Sequence, residues 1–522
     1  MKRSLPLLAV SAVALIASFA PIGLFPLAWV ALIPLLFALE GKGRRGAFLT
    51  GLGWGLIFFA GTVYWIVHSM YYFGGVPIPI GLAVLALLAL YMSLYPALFC
   101  LAFSVTRRAN PVIQVIAASS LWVGLEFIRG HLLTGFPWVA LGYSQTPFTS
   151  IIQLADIAGV GGVSFILIAF NTALYLTIKK LIARDRAPLT LYAALICIVA
   201  LPLVYGQLRV EQIEKRAEDW QVVRVGVAQG NFDQAVKWDP SRQRETIEAY
   251  RKLSLDIAER GGELILWPET AVPFYLQLRD SMGEMVFETA RETGSAIITG
   301  APAYKRGAAG AEYFNSAFLI SSEGELAGRY DKTHLVPFGE YVPLKKLLFF
   351  IKKLTVGVGD FSSGTTLNPL TLSARQGGPG KVSDRSSVGL LICFESIFPD
   401  IARGMVGNGA NLLAVITNDG WFGRTSAPYQ HFDMSVFRAV ENRSYLLRAA
   451  NTGLSGIISP TGRVIAQTPL FTRTILVGNI GLRAAPPTLY TTYGDIFSIL
   501  CLITAAIMTL LALLLWRDDA ER

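Results

Sequence analysis

Three polar residues stand at the ends of apolar runs: Glu269 after "LILWP", Lys332 after "GRY-D", and Cys393 after "VGLLI". They are 63 and 61 residues apart, so no local element joins them. Their types define a chemistry. A thiol is a nucleophile once it loses its proton, and a nearby cation or a helix start favours the thiolate. A carboxylate can take that proton and return it to a leaving group. A lysine can stabilise the oxyanion of a tetrahedral intermediate. Together they fit acyl transfer through a thioester on Cys393. His334, two residues past Lys332, leaves a Cys–His pair as an alternative.

Cys393 is solitary in its region. The chain has four cysteines, and Cys100, Cys197 and Cys501 lie within long apolar runs. A lone thiol is either an apolar filler or a reactive group. The four histidines, His68, His131, His334 and His431, show no metal-ligand spacing, and no CxxC or HExxH occurs. Neither a metal nor another cofactor is expected.

Short apolar runs alternate with helical patterns over residues 218–487, which predicts a layered α/β domain. Strands are expected at 222–230, 263–269, around "AIITGA", and at "SVGLLICFES" and "NLLAVITND". Residues 313–332 and "GLSGIISPTGRVIA" read as hairpins. Helices are expected at 244–260, 282–294 and 429–451, with a short one at "FPDIARGMVGNG". Catalytic groups of layered α/β folds gather at strand ends. A common sheet edge can therefore bring the three residues together.

The rest of the chain is of another kind. Over 522 residues, 53% are hydrophobic and 16% charged, with mean hydropathy +0.49. That is too apolar for an ordinary soluble protein. About 20 apolar residues of helix cross a bilayer. Candidate spans lie near 5–20, 22–39, 47–68, 79–104, 111–129, 160–178, 189–206 and 491–516. The expected organisation is a membrane domain of seven helices over 1–210, the α/β domain over 218–487, and an eighth helix over 491–516. Lys2 and Arg3 before an apolar run also fit a signal peptide, but the next span follows at once without a convincing small-residue cleavage site.

Positive residues orient these spans. Lys2 and Arg3; Lys42, Arg44 and Arg45; Arg107 and Arg108; Lys179, Lys180, Arg184 and Arg186; and Arg517 all fall on one side. The opposite segments 69–78 and 130–159 contain no Lys or Arg. The first side is cytoplasmic, so the α/β domain is expected outside the cytoplasm. The net charge of +9 follows largely from topology and calls for no nucleic acid.

The motifs "LILWPETAV", "RYDKTHLVPFGEYVPL", "GLLICFES" and "AVITNDGWFG" resemble the nitrilase, or carbon–nitrogen hydrolase, superfamily. That resemblance implies an αββα sandwich with Glu269, Lys332 and Cys393 as its triad. With the spans, "HLVPFGEYVPL" and "LLTGFPWVALGYSQ" added, the whole chain resembles the apolipoprotein N-acyltransferase family of the bacterial inner membrane. This implies a fatty acyl donor, a phospholipid such as phosphatidylethanolamine, and an acceptor, the α-amino group of a diacylglyceryl-cysteine on an apolipoprotein. It further implies essential acids at Glu340 and Glu395, a substrate-path residue at Trp238, and a site aromatic at Phe394, where tyrosine is common in relatives. A monomer is expected.

"LKKLLFFIKKL" (344–354) has the pattern of a basic amphipathic helix. Lys345, Lys346, Lys352 and Lys353 face one side, and Leu347, Leu348, Phe350 and Ile351 the other. It is expected to lie among lipid headgroups beside the site. The alternative function is a membrane-tethered amidase or nitrilase acting on a small C–N bond with the same three residues. A transporter or sensor would need facing charges within the spans, and Glu126 near Arg129 is the clearest pair.

Overall fold

The computed structural model describes residues 5–107, 109–233, 237–307, 310–341, 361–372 and 386–515. The expected amphipathic segment 344–354 lies outside them. The described chain forms two compact units: Met1–Val67 with Ile78–Glu211 and Tyr493–Arg522, and His68–Pro77 with Gln212–Thr492.

The first unit is helical. Among the described residues five helices are long and apolar enough to cross a membrane: Ile78–Thr106, Pro111–Thr134, Ala155–Ile182, Leu189–Ala217 and Ile496–Leu514. Arg44–Thr62 and Trp65–Tyr72 form a pair bent by 50° and make a sixth if taken as one span. Leu5–Ser18 and Phe25–Ala38 are shorter apolar segments. Helix 44–62 lies directly on helix 78–106, since a Cβ added to Gly51 would meet the Pro96 carbonyl oxygen at 2.3 Å. Small residues permit that approach in membrane helices.

Buried polar groups fix the unit's loops. Asn171 accepts from Leu32 N at 2.9 Å and donates to Ala28 O at 2.9 Å, tying the 25–38 segment to helix 155–182. Asp156 binds Arg209 at 2.7 Å and Tyr205 at 2.6 Å. Glu126 accepts from Leu141 N at 2.7 Å, and Arg129 donates to Phe136 O and Trp138 O at 3.0 and 2.6 Å. The Glu126 and Arg129 that a transporter reading would enlist therefore brace the loop at 136–141.

The second unit contains two six-stranded sheets. The first has the order β12-β1-β2-β3-β4-β5: β1 Gln221–Gln229, β2 Leu264–Leu266, β3 Ala296–Gly307, β4 Gly310–Ile320, β5 Leu326–Asp331 and β12 Thr474–Leu482. The second has the order β11-β10-β9-β8-β7-β6: β6 Leu370–Thr371, β7 Ser387–Ile392, β8 Leu412–Thr417, β9 Leu446–Ala450, β10 Gly456–Ile458 and β11 Val464–Gln467. The central triads β1-β2-β3 and β7-β8-β9 are parallel. The stretches that pair in parallel at 225–227, 264–266, 296–298, 388–392 and 412–416 are apolar, as strands covered on both faces are. The sheets meet through β1 and β9 and through β4 and β7. Helices Pro240–Glu259 and Ser281–Thr293 pack with the first sheet, and Pro399–Gly407 and Ala427–Asn442 with the second. The result is the expected αββα sandwich.

Some expected elements differ. Among the described residues the stretches expected as spans at 5–20 and 22–39 are the shorter helical segments Leu5–Ser18 and Phe25–Ala38. The helix predicted over 429–451 stops at Asn442, and β9 follows. Arg443 adopts φ 48 and its N–H closes on Val440 O at 3.3 Å. A left-handed residue ends a helix, but an arginine there gives no compositional stop signal. β12 was likewise missed: its pairing with β1 is entirely long-range.

Candidate active site

Glu269 stands just beyond β2, which ends early because Pro268 has no N–H to donate to the ladder. Trp267 locks the strand end, fully buried, with its indole N–H on Ser254 Oγ at 2.9 Å and its ring stacked on Tyr250. Lys332 follows β5, its own N–H bonded to Asn315 O at 2.9 Å. Cys393 follows β7 and opens the 3-10 turn Cys393–Ile397. Its φ is 54, a left-handed conformation that costs a non-glycine residue about 1–3 kcal/mol and persists only where the surroundings impose it.

Glu269 and Lys332 come within 3.9 Å of each other and both act electrostatically on Cys393, and all three are buried: Glu269 is 7%, Lys332 1% and Cys393 9% exposed. Lys332 Nζ lies 3.9 Å from Glu269 Oε1 and 2.9 Å from Glu340 Oε1. Glu340 is held in place by Val336 N at 2.8 Å. Asn315 Nδ2 donates to both carboxylates, at 2.8 Å each. Glu269 Oε2 accepts from Asn418 N at 2.9 Å. The lysine is thus clamped by Glu340, while Glu269 is oriented by neutral donors.

The electrostatics are those of a buried site. Burial raises the Glu269 pKa, and Glu340 adds to this against the pull of Lys332, Asn315 and Lys237. Burial opposes the charge on Lys332, but Glu340, Glu269 and Cys393 outweigh it and its pKa is raised. Burial also pushes the Cys393 thiol well up, and Glu269 reinforces this, with Lys332 opposing. The thiolate expected from a helix start and a nearby cation is therefore overruled by desolvation. Burial thus favours the thiol, whose proton then needs a base.

Glu395 is wholly buried. Its Oε1 accepts from Tyr330 Oη, Thr333 N, Thr333 Oγ1 and His334 N at 2.7–3.2 Å, and its Oε2 from Ile392 N at 2.7 Å. It staples the Cys393 turn to the segment carrying Lys332. Phe394 and Phe398 meet edge to face at 5.2 Å, and His334 stacks on Phe398 at 3.8 Å. Burial, with Lys332 beside it, lowers the His334 pKa to about 4. A neutral ring stacked on phenylalanine is an aromatic wall, so the Cys–His alternative gains no support. Trp238 is half-buried in the turn before helix 240–259.

Two residues here escaped sequence reasoning. Asn315 sits within the apolar run "YFNSAFLI", and that lone amide was the available signal. Lys237 is 2% exposed and donates to Glu269 O at 3.0 Å and Thr270 Oγ1 at 2.6 Å. Burial lowers its pKa to about 7, against the pull of Glu269. Its partners lie more than thirty residues away, so no local pattern marks it.

Residues 11–173 match the family described as apolipoprotein N-acyltransferase N-terminal domain, and residues 224–487 match carbon–nitrogen hydrolase. An apolipoprotein N-acyltransferase of Geobacter metallireducens is 42% identical, over 98% of this chain and 95% of its own. Those of Pseudomonas aeruginosa PAO1 and Haemophilus influenzae are 34% and 32% identical, each over 89% of this chain and 87% and 86% of their own. Among solved structures, a Nesterenkonia amidase of the nitrilase superfamily aligns at 21% identity over 52% of this chain and 93% of its own, with TM-score 0.37. The chain belongs to the apolipoprotein N-acyltransferase family, as a membrane acyltransferase with a carbon–nitrogen hydrolase domain.

Proposed function

We propose that the protein moves a fatty acyl chain from the sn-1 position of a phospholipid to the α-amino group of a diacylglyceryl-cysteine at an apolipoprotein N-terminus, in two steps through Cys393. The observation that carries this is the buried Glu269–Lys332–Cys393 cluster in a chain of this family. In the first step Glu269 takes the thiol proton and sulfur attacks the ester carbonyl. Lys332 stabilises the oxyanion. The carbon–oxygen bond breaks, and the departing lysophospholipid oxygen takes the proton from Glu269. In the second step the amine attacks the thioester, and its proton passes through Glu269 to the departing sulfur. Trp238 and Phe394 line the substrate path. Glu340 fixes the lysine, and Glu395 fixes the turn.

The proposed setting is the bacterial inner membrane, with the catalytic domain on the periplasmic side, seven helices before it and one after. Both substrates are lipids of the outer leaflet, and apolar helices flank the domain at both ends. A dry site also lets the amine compete with water for the thioester.

Intact-mass measurement of the purified protein, incubated with a phospholipid of defined chains and no acceptor, tests the reading. The wild type is expected to gain one acyl group and Cys393→Ala none. A wild type that gains none, yet hydrolyses a small amide, would establish the amidase alternative.

A further inference from the structure

A second polar cluster lies beneath the nucleophile turn, and the reaction above does not use it. His431, on helix 427–442, is 1% exposed. Its Nε2 lies 3.1 Å from the backbone oxygen of Cys393 and 2.7 Å from Ser396 Oγ. Ser396 Oγ itself donates to Cys393 O at 2.9 Å. On the other side of the ring, Nδ1 lies 3.1 Å from Asp419 Oδ1 and 2.9 Å from Arg448 Nη2. Arg448 Nη2 also donates to Asp419 Oδ2 at 2.9 Å, and its Nη1 to Ser435 Oγ at 3.0 Å.

Nδ1 meets both an acceptor, Asp419 Oδ1, and a donor, Arg448 Nη2, so that side alone does not set the tautomer. On the other side the backbone oxygen of Cys393 can only accept, so its contact with Nε2 calls for a proton on Nε2. Burial and Arg448 both lower the His431 pKa, with Asp419 opposing, which agrees with a neutral ring. The linkage Ser396–His431–Asp419 has the residue order of a hydrolytic triad. Here the serine is wholly buried and its hydroxyl proton is directed at Cys393 O, so it is no nucleophile.

We infer that His431 is a positioning residue for Cys393, gripping the nucleophile's own carbonyl and so holding the left-handed turn that presents the thiol. Glu395 secures the neighbouring peptide through Ile392 N, whereas His431 and Ser396 reach Cys393 itself. Asp419 and Arg448 fix the ring that does so. A Cβ on Gly453 would meet Asp419 Oδ2 at 2.2 Å, so the chain closes tightly behind this cluster. The inference rests on Cys393 being the reacting group.

The test uses the full-length protein in phospholipid nanodiscs, with His431→Leu, His431→Asn and His431→Gln. Glutamine can place an N–H near the Nε2 position; asparagine is too short and leucine has no donor. Two rates are measured: acyl-adduct formation at a range of lipid concentrations, and alkylation of the Cys393 peptide by iodoacetamide. His431→Leu is expected to form the adduct roughly tenfold more slowly at saturating lipid, the scale of one lost buried hydrogen bond. Its half-saturating lipid concentration is expected to stay unchanged, and His431→Gln to recover most of the rate. A folded His431→Leu with wild-type rates overturns the inference, as does a His431→Gln no faster than Leu. Where Leu does not fold, Gln faster than Asn supports the inference and equal rates overturn it. A wild type that alkylates but forms no acyl adduct removes the acyltransferase reading alone. The alkylation rates then decide the role of His431 by the same comparison.

Discussion

At the scale of single residues, proton position governs this site. Burial favours the thiol form of Cys393 against the pull of Lys332. Glu269 can accept the proton only when ionised, and its pKa lies above the ordinary carboxylate value. Acylation should therefore rise with pH through a limb displaced upward from that value. Lys332, Glu340 and Lys237 are the ionisable groups that shift Glu269. Lys237→Met removes one cation that favours the ionised form, so the limb should move to higher pH. A folded Lys237→Met with the wild-type profile would refute this role. Lys332→Met should slow acylation more severely, by roughly 100- to 1,000-fold, the range for losing one oxyanion donor. Single-turnover adduct formation measures both.

At the scale of elements, strand ends and close backbone approaches set the geometry. Gly300 of β3 lies directly behind the base: an added Cβ would meet Thr270 N at 2.4 Å and Glu269 Cα at 2.7 Å. These are backbone atoms and cannot swing aside. Gly300→Ala should cost about 1–3 kcal/mol of stability, as overpacking does, and displace Glu269. A lower melting temperature with slowed adduct formation is expected, and a variant unchanged in both would show the approach to be slack. Most elements were legible from periodicity, and the three catalytic candidates from their places at strand ends. The failures share a cause. Arg443 ends a helix by adopting a left-handed φ that arginine seldom takes, and β12 earns its place only by pairing with β1 across the whole domain.

At the scale of the whole molecule, the chain joins an apolar helical unit to an α/β sandwich. The distribution of lysine and arginine predicts which segments face the cytoplasm. In a chain with all four cysteines replaced, Tyr72→Cys should be labelled by an impermeant maleimide added to spheroplasts, and Arg45→Cys only after lysis. The reverse pattern would invert the topology. The sequence pattern of 344–354 predicts an amphipathic helix, and on that expectation replacing Leu347, Phe350 and Ile351 with Ser or Asn should weaken acylation from bilayer lipid. Unchanged transfer in native membranes would remove that role.

By itself the sequence determined what is local in origin: apolar stretches long enough to cross a bilayer, alternating strands and helices, and Glu269, Lys332 and Cys393 at strand ends. Only the tertiary structure decided what depends on burial and on contacts distant in sequence. It placed Asn315 between two carboxylates, Lys237 behind the base, and Glu395 between the two halves of the site. It also raised the Cys393 pKa, because desolvation belongs to the packed site and not to any stretch of chain.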